Sequence, residues 1–343
     1  MRKLLNTLYV STQGAYLHKE GETVIVEVDK EKKAQYPIHT IGSIVCFGNV
    51  LCSPFLLGFC ASKDVSISFL SERGKFLASV RGAISGNVLL RREQYRKADD
   101  PIASLLTSIN IIGAKLSNSL IVIHRALRDH GAKVNGDLLK TASENIKRLI
   151  RSVSCAENVE GARGYEGEGA YEYFSVFNHL ILDQKEDFIF TDRNRRPPLD
   201  NVNALLSFVY TILTHDVRSA LETVGLDPQV GFLHRDRSGR HSLALDMIEE
   251  FRPVIADRLV LSLINRRQVN KKDFTKSASG AVTMSDDARK TILIEYQNRK
   301  QEEIYHPYIE EKVKIGQLFF LQSNLLARYI RGDLDAYPPF FWK

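Results

Sequence analysis

The apolar pattern changes period once along the chain. Over residues 4–81 apolar residues come in short runs, with Val, Ile and aromatic residues concentrated at 7–10, 23–28, 43–47 and 65–69. Such runs predict strands. Gln13-Gly14, Glu20-Gly21, Gly48-Asn49 and Arg73-Gly74 separate them as turns. Residues 54–60 break the pattern with a helical period, which predicts a short helix packed on the sheet. A charged stretch at 89–100, LLRREQYRKADD, reads as a helical linker whose cations form a solvated face or meet phosphates. From Pro101, suited to a first helical turn, apolar residues recur at three- and four-residue steps. Helices are predicted over 102–128, 138–153, 204–213, 255–264, 286–303 and 318–330, with Asp200 or Asn201 starting the third. Ala278–Gly280 reads as flexible, and the tail AYPPFFWK as an aromatic plug on the helices. The fold class predicted is α+β in two domains. A small β-rich domain spans 1–88, a helical linker 89–100, and a larger all-α domain 101–343.

Composition adds little. The 343 residues are 44% hydrophobic and 26% charged, as in an ordinary globular protein. Lys and Arg number 47 against 41 Asp and Glu, giving a net charge of +6, which favours polyanionic partners without identifying one. Cys46, Cys52, Cys60 and Cys155 form no CxxC pair and read as small buried hydrophobes in a reducing compartment. The N-terminal run is interrupted by Asn6, Thr7 and Ser11, so no signal peptide is expected. No uninterrupted apolar run reaches bilayer-spanning length, so the expectation is a cytoplasmic protein with no membrane contact.

The chemistry concentrates in 231–253, GFLHRDRSGRHSLALDMIEEFRP. An apolar turn carries His234, and a basic loop follows with Arg235, Arg237, Arg240 and His241. A helix predicted over 242–251 puts Asp246 and Glu249 on one face, and Leu243, Met247 and Phe251 on another. Each feature alone has an ordinary structural reading. Together they describe a divalent-metal site beside a phosphate-binding loop, because buried carboxylates need a cation or donors. The donors suit Mg²⁺ or Mn²⁺, the imidazole leaning toward Mn²⁺; zinc would bring a thiolate pattern that is missing.

Two further segments carry candidates. Glu166 lies in the glycine-rich run GARGYEGEGAYEYF, where that run enters a helix; a first-turn carboxylate can also be a plain cap. Ala170, Tyr173, Phe174 and Phe177 form an apolar stripe after it. Arg193, Arg195 and Arg196 crowd a loop stiffened by Pro197 and Pro198, as a phosphate clamp or an ion-pair cluster. No GxxxxGK[ST] loop, dinucleotide fingerprint or GxSxG elbow occurs.

RGYEGEGAYEYF, RNRRPPLDNVNALLSFVY, GFLHRDRSGRHSLALDMIEEFRP and SGAVTMSDDARKTIL, in this order, resemble the CRISPR-associated adaptation integrase family. The length and the YPPFFWK ending resemble a bacterial type I member, subtype C. The resemblance implies a homodimer joined through the β domain. It also implies a heterohexamer with a small ferredoxin-like second protein, and insertion of double-stranded spacer DNA into the CRISPR repeat by 3′-hydroxyl attack. It implies a metal held by Glu166, His234 and Glu249, the last standing where many members carry Asp. Asp246 would be a close neighbour of the metal and part of the catalytic set, whereas Glu168 does not match the motif's acid. Arg193, Arg195, Arg196, Arg235, Arg237, Arg240 and His241 would meet DNA. The competing readings are a non-catalytic nucleic-acid scaffold and a phosphohydrolase of small substrates.

Overall fold

The short apolar runs become β1 (Asn6–Val10), β2 (Tyr16–Glu20), β3 (Thr23–Val28), β4 (Glu31–Pro37), β5 (Ile41–Phe47) and β6 (Leu51–Cys52). Helix α1 (Pro54–Ser62), β7 (Ser66–Leu70) and β8 (Phe76–Val80) follow. The computed structural model describes residues 6–63, 65–71, 76–80, 82 and 87–342. The predicted Arg73-Gly74 turn, residues 1–5 and Lys343 lie outside these. The strands form two four-stranded sheets, ordered β1-β5-β7-β8 and β4-β3-β2-β6. β5 runs parallel to both its neighbours and is buried along nearly its whole length, as a central parallel strand must be. Gly21 closes the β2–β3 hairpin at φ +57°, a conformation that costs glycine little. Ser53 caps α1 by accepting from the Leu56 amide at 3.1 Å, with Pro54 at the first helical position. Leu56, Phe59 and Cys60 then enter a core with Leu17, Ile44 and Ile67, which bears out the predicted short helix. All four cysteines are free thiols; Cys155 is exposed rather than buried.

The second run of the chain gives α2 (Val88–Asp99), α3 (Pro101–His130), α4 (Gly136–Val153), α5 (Val159–Ser175), α6 (Asn201–Val224), α7 (Ser242–Ile248) and α8 (Arg258–Asn265). Then come β9 (Phe274–Lys276), β10 (Val282–Met284), α9 (Asp286–Gln301), β11 (Glu303–His306), β12 (Glu311–Lys314) and α10 (Ile315–Arg331). The chain divides into one unit of Met1–Gly86 with Asp286–Lys300, and a second of Asn87–Ser285 with Gln301–Lys343.

The fold class is α+β, with three departures from the sequence expectation. The helical unit is not all-α: β9–β10 and β11–β12 are short antiparallel hairpins, the first turning at residues 278–280. Residues 88–99 are no linker. Gln94 on α2 is fully buried and donates to the carbonyls of Asp227 and Val230, which fixes α2 within the helical unit. Most of α9 belongs with the β strands, where Gln297 donates to the Thr7 carbonyl at 2.9 Å.

α3 is the axis of the helical unit and packs on α2, α4 and α5. By length and composition alone it could cross a bilayer, but 61% of its most apolar window is buried against the protein. Asp100, Asn135, Asn158 and Asp200 cap α3 to α6 through their side chains. The Asn158 cap moves the start of α5 upstream of the glycine run, so Glu166 lies inside the helix and is not a first-turn cap. A Cβ on Gly169 would stand 2.2 Å from Leu116 Cδ2, so this glycine lets α5 approach α3 closely.

Candidate active site

The close approach of α5 to α3 brings Glu166 to Lys115. Lys115 is the only charged side chain between Pro101 and His124. It is 7% exposed, in the middle of an apolar helix. Its ammonium pairs with Glu166 Oε1 and, at 2.8 Å, with Glu249 Oε2. Glu249 itself is 2% exposed, and its other oxygen meets Arg252 Nη1 at 2.6 Å. Arg252 is held over the Tyr210 ring at 4.8 Å. Burial alone would raise the Glu249 pKa; Arg252 and Lys115, with His234 beyond them, outweigh it and hold the carboxylate below its ordinary range. Burial would likewise lower Lys115, and the carboxylates of Glu249 and Glu166 outweigh that, keeping the ammonium charged.

The helix predicted over 242–251 is shorter. α7 ends at Ile248, a tight turn carries Glu249, and a π-helical segment Arg252–Asp257 leads into α8. Pro253, which has no amide hydrogen to donate, sits at this break. Asp246 and Glu249 therefore serve different purposes. The buried Asp246 carboxylate accepts the amides of Phe232 at 2.7 Å, Leu233 at 3.0 Å and His234 at 2.9 Å. It also takes His234 Nδ1 at 2.6 Å. With its oxygens so occupied, Asp246 holds the His234 turn in place. A carboxylate receiving three amides is an acceptor, so Nδ1 carries the proton it shares with Asp246. Gly231 allows this fold-back, since a Cβ there would stand 2.7 Å from Asp246 Oδ2. Arg163 on α5 ties the same turn to Glu166's helix by donating to the Leu233 carbonyl at 2.8 Å.

Glu166 and Glu249 thus converge, with His234 close enough to act on Glu249 electrostatically. Among the described residues, however, no three His, Cys, Asp or Glu side chains form a ready ligand set. Both carboxylates are turned onto the ammonium of Lys115. The donors nonetheless fit a hard divalent cation. Glu249 Oε2 is buried and makes no hydrogen bond of good geometry, even to the nearby ammonium. His234 passes its second ring nitrogen to a carboxylate, the usual support of a metal-bound imidazole.

The basic loops divide. Arg195, Arg196 and Arg237 are exposed. Arg240 is half-buried, its pKa lowered by burial and by the neighbouring cations Arg237, Arg163 and Arg195, so the 193–196 and 235–240 loops share one positive region. Arg235 is exposed but paired with Glu160 at 2.6 Å. Arg193 departs from expectation. It is half-buried, donates to Asn203 Oδ1 at 2.6 Å and Ser207 Oγ at 3.1 Å, and lies over Tyr210 at 5.3 Å, so it braces α6. His241 stands at the N-cap of α7, its carbonyl accepting from Leu245.

Three participants escaped the sequence reading: Lys115, Arg252 and Tyr210. Lys115 had a signal, since a single cation within the otherwise uncharged, apolar stretch 101–124 calls for a buried acid.

The profile described as CRISPR associated protein Cas1 matches residues 8–298. CRISPR-associated endonuclease Cas1 1 of Chlorobaculum tepidum is 56% identical, with all of both chains covered. CRISPR-associated endonuclease Cas1 2 of Rhodospirillum rubrum is 52% identical over the same full extent. Among solved structures, a Cas1 protein from Thermotoga maritima superposes with a TM-score of 0.81 at 25% identity, over 98% of this chain and 100% of that one. A casposase bound to integration product shares the fold, with a TM-score of 0.82 at 22% identity, over 97% of this chain and 93% of that one.

Proposed function

The chain belongs to the Cas1 family of CRISPR-associated proteins, and from that premise we propose that it is a divalent-metal-dependent DNA endonuclease and integrase of CRISPR adaptation. The observation that carries the reading is the meeting of Glu166 and Glu249 at one buried cation beside a histidine fixed by Asp246. Glu166, His234 through Nε2, and Glu249 would hold Mg²⁺ or Mn²⁺. Bound there, the ion supplies Lewis-acid polarisation of a phosphodiester.

The protein's own residues do the rest. Asp246 fixes the direction of the His234 imidazole by accepting from Nδ1, which leaves Nε2 as the ring nitrogen available to a metal. Arg252 holds Glu249 ionised and immobile. The positive region of Arg195, Arg196, Arg237 and Arg240 takes backbone phosphates of double-stranded DNA and fixes its register, with Arg235 at its edge. A DNA 3′-hydroxyl then displaces the leaving oxygen at the repeat, or water does so in the nuclease reaction. Neither step needs a covalent protein nucleophile or ATP. The β unit provides the homodimer surface, supported by the exposed Leu51 and by Phe55, 84% exposed. The small ferredoxin-like second protein completes the heterohexamer.

The test is strand transfer of labelled duplex DNA with free 3′-hydroxyls into a supercoiled plasmid carrying a repeat, with Mn²⁺ and the second protein. Wild type joins label to plasmid, and Glu166→Gln and His234→Ala do not. Joining by His234→Ala refutes the assignment of that residue. DNA binding without joining or nicking by wild type favours a scaffold instead.

A further inference from the structure

We propose that Lys115 is the resident counter-ion of the site and competes with the divalent cation for Glu166 and Glu249, so that the cation binds only as the ammonium withdraws. The proposal rests on the metal-site reading above and adds to it a residue that sets metal affinity.

The argument starts from charge balance. The buried cluster holds two carboxylates, Glu166 and Glu249, against two cations, Lys115 and Arg252. These four paired groups balance one another, and a buried charge is tolerated only when so balanced. A dication added with both side chains in place would leave a large uncompensated positive charge in a water-poor pocket. One of the two cations must therefore give way.

The structure distinguishes them. Arg252 binds Glu249 Oε1 at 2.6 Å and lies over Tyr210 at 4.8 Å, so its guanidinium is held by two independent contacts. Lys115 meets Glu249 Oε2 at 2.8 Å and Glu166 Oε1, with no aromatic ring among the described residues holding it. Its ammonium is a point charge on a flexible four-carbon stem, free to swing without moving the backbone. Glu166, at the other side of the ammonium, is only partly buried, so a route toward solvent exists on that side. The withdrawn ammonium stays charged and becomes available to an anion at the mouth of the site.

Two properties follow. Metal affinity is reduced by whatever free energy the displaced ammonium gave up. The carboxylate pair is also kept from mutual repulsion whenever the cation is absent, so the site does not depend on metal to fold.

The experiment measures Mn²⁺ binding by electron paramagnetic resonance and calorimetry, and urea unfolding in EDTA, for wild type, Lys115→Met, Lys115→Gln and Lys115→Arg. Glu166→Gln with Glu249→Gln is the site control. The expected result is that Lys115→Met and Lys115→Gln bind Mn²⁺ about tenfold tighter or more, the size of effect one neighbouring like charge produces. Lys115→Arg binds no tighter than wild type. Both neutral variants unfold at lower urea in EDTA, and Mn²⁺ restores them. If Lys115→Met does not fold, Lys115→Gln carries the comparison. Unchanged or weaker Mn²⁺ binding in the neutral variants, with binding abolished in the double Gln control, overturns the role of Lys115 and leaves the metal site standing. Wild-type Mn²⁺ binding that survives the double Gln control overturns the metal-site reading and this proposal together.

Discussion

Helix α5 carries glycines at 164, 167 and 169, and alanine at each should have effects of different sign. Helix propensity favours Ala over Gly by about 0.8–1.0 kcal/mol at any interior position. A Cβ at Gly164 or Gly167 meets nothing within 4 Å, so those two substitutions express the propensity term alone. At Gly169 the new Cβ stands 2.2 Å from Leu116 Cδ2. Leu116 is 1% exposed, so its side chain has no solvent to retreat into. Overpacking of this kind costs about 1–3 kcal/mol. Subtracting the shared propensity gain leaves Gly169→Ala between neutral and about 2 kcal/mol destabilised. The informative quantity is the difference from Gly164→Ala, which isolates the clash at about 1–3 kcal/mol. Urea unfolding read by circular dichroism resolves it, provided the slopes agree among variants. Because the displaced helix also carries Glu166, Gly169→Ala should lower nuclease activity while Gly164→Ala does not. Equal stabilisation by all three alanines would refute the claim that close approach of α5 to α3 fixes the site.

Asp246→Asn should reduce activity about 10- to 100-fold by releasing the Nδ1 tautomer of His234. A cost of about 1–3 kcal/mol should accompany it from the mismatched buried amides, read by kinetics and unfolding on the same preparation. Arg195→Ala, Arg196→Ala and Arg237→Ala should each weaken duplex binding and lower the salt slope by about 1. Arg193→Ala should keep the slope and lose stability instead, which anisotropy titrations over a salt series separate. Burial raises Asp257 from 3.8 to about 6 despite the Tyr210 hydroxyl donated to it at 2.6 Å. A carboxyl raised on folding stabilises fully in acid and loses that contribution as pH rises through the folded value. The loss is about 3 kcal/mol at 1.36 kcal/mol per unit. Asp257→Asn should therefore flatten unfolding free energy between pH 3.8 and about 6, and an unchanged slope would remove Asp257 as its source.

The sequence made legible whatever rests on local period and local capping. The strands at 23–28, the helix at 54–62 and the long helices from 101 onward follow from apolar spacing and from Ser53, Asp100 and Asp200. What it could not carry was tertiary partnership. Arg193 and Arg195 are two residues apart in one basic run, yet one braces α6 and the other faces solvent. Asp246 and Glu249 shared a predicted helical face, but the break at Ile248 sends one to His234 and the other to Lys115. α9 has the mixed charge of a surface helix, and nothing in its own pattern assigns it to the β strands.

The stretch that supplies Glu249 is finished by the far end of the chain. Glu250 is fully buried and accepts the Tyr337 hydroxyl at 2.7 Å and the Phe340 amide at 2.6 Å. Asn118, three residues from Lys115, bridges the carbonyls of Glu250 and Phe340 and receives the Trp342 amide. During synthesis Tyr337 is added 87 residues after Glu250. Until then its carboxylate lacks these donors and cannot settle in the interior. The stretch that carries Glu249 therefore gains these contacts only once residues 337–342 have been made.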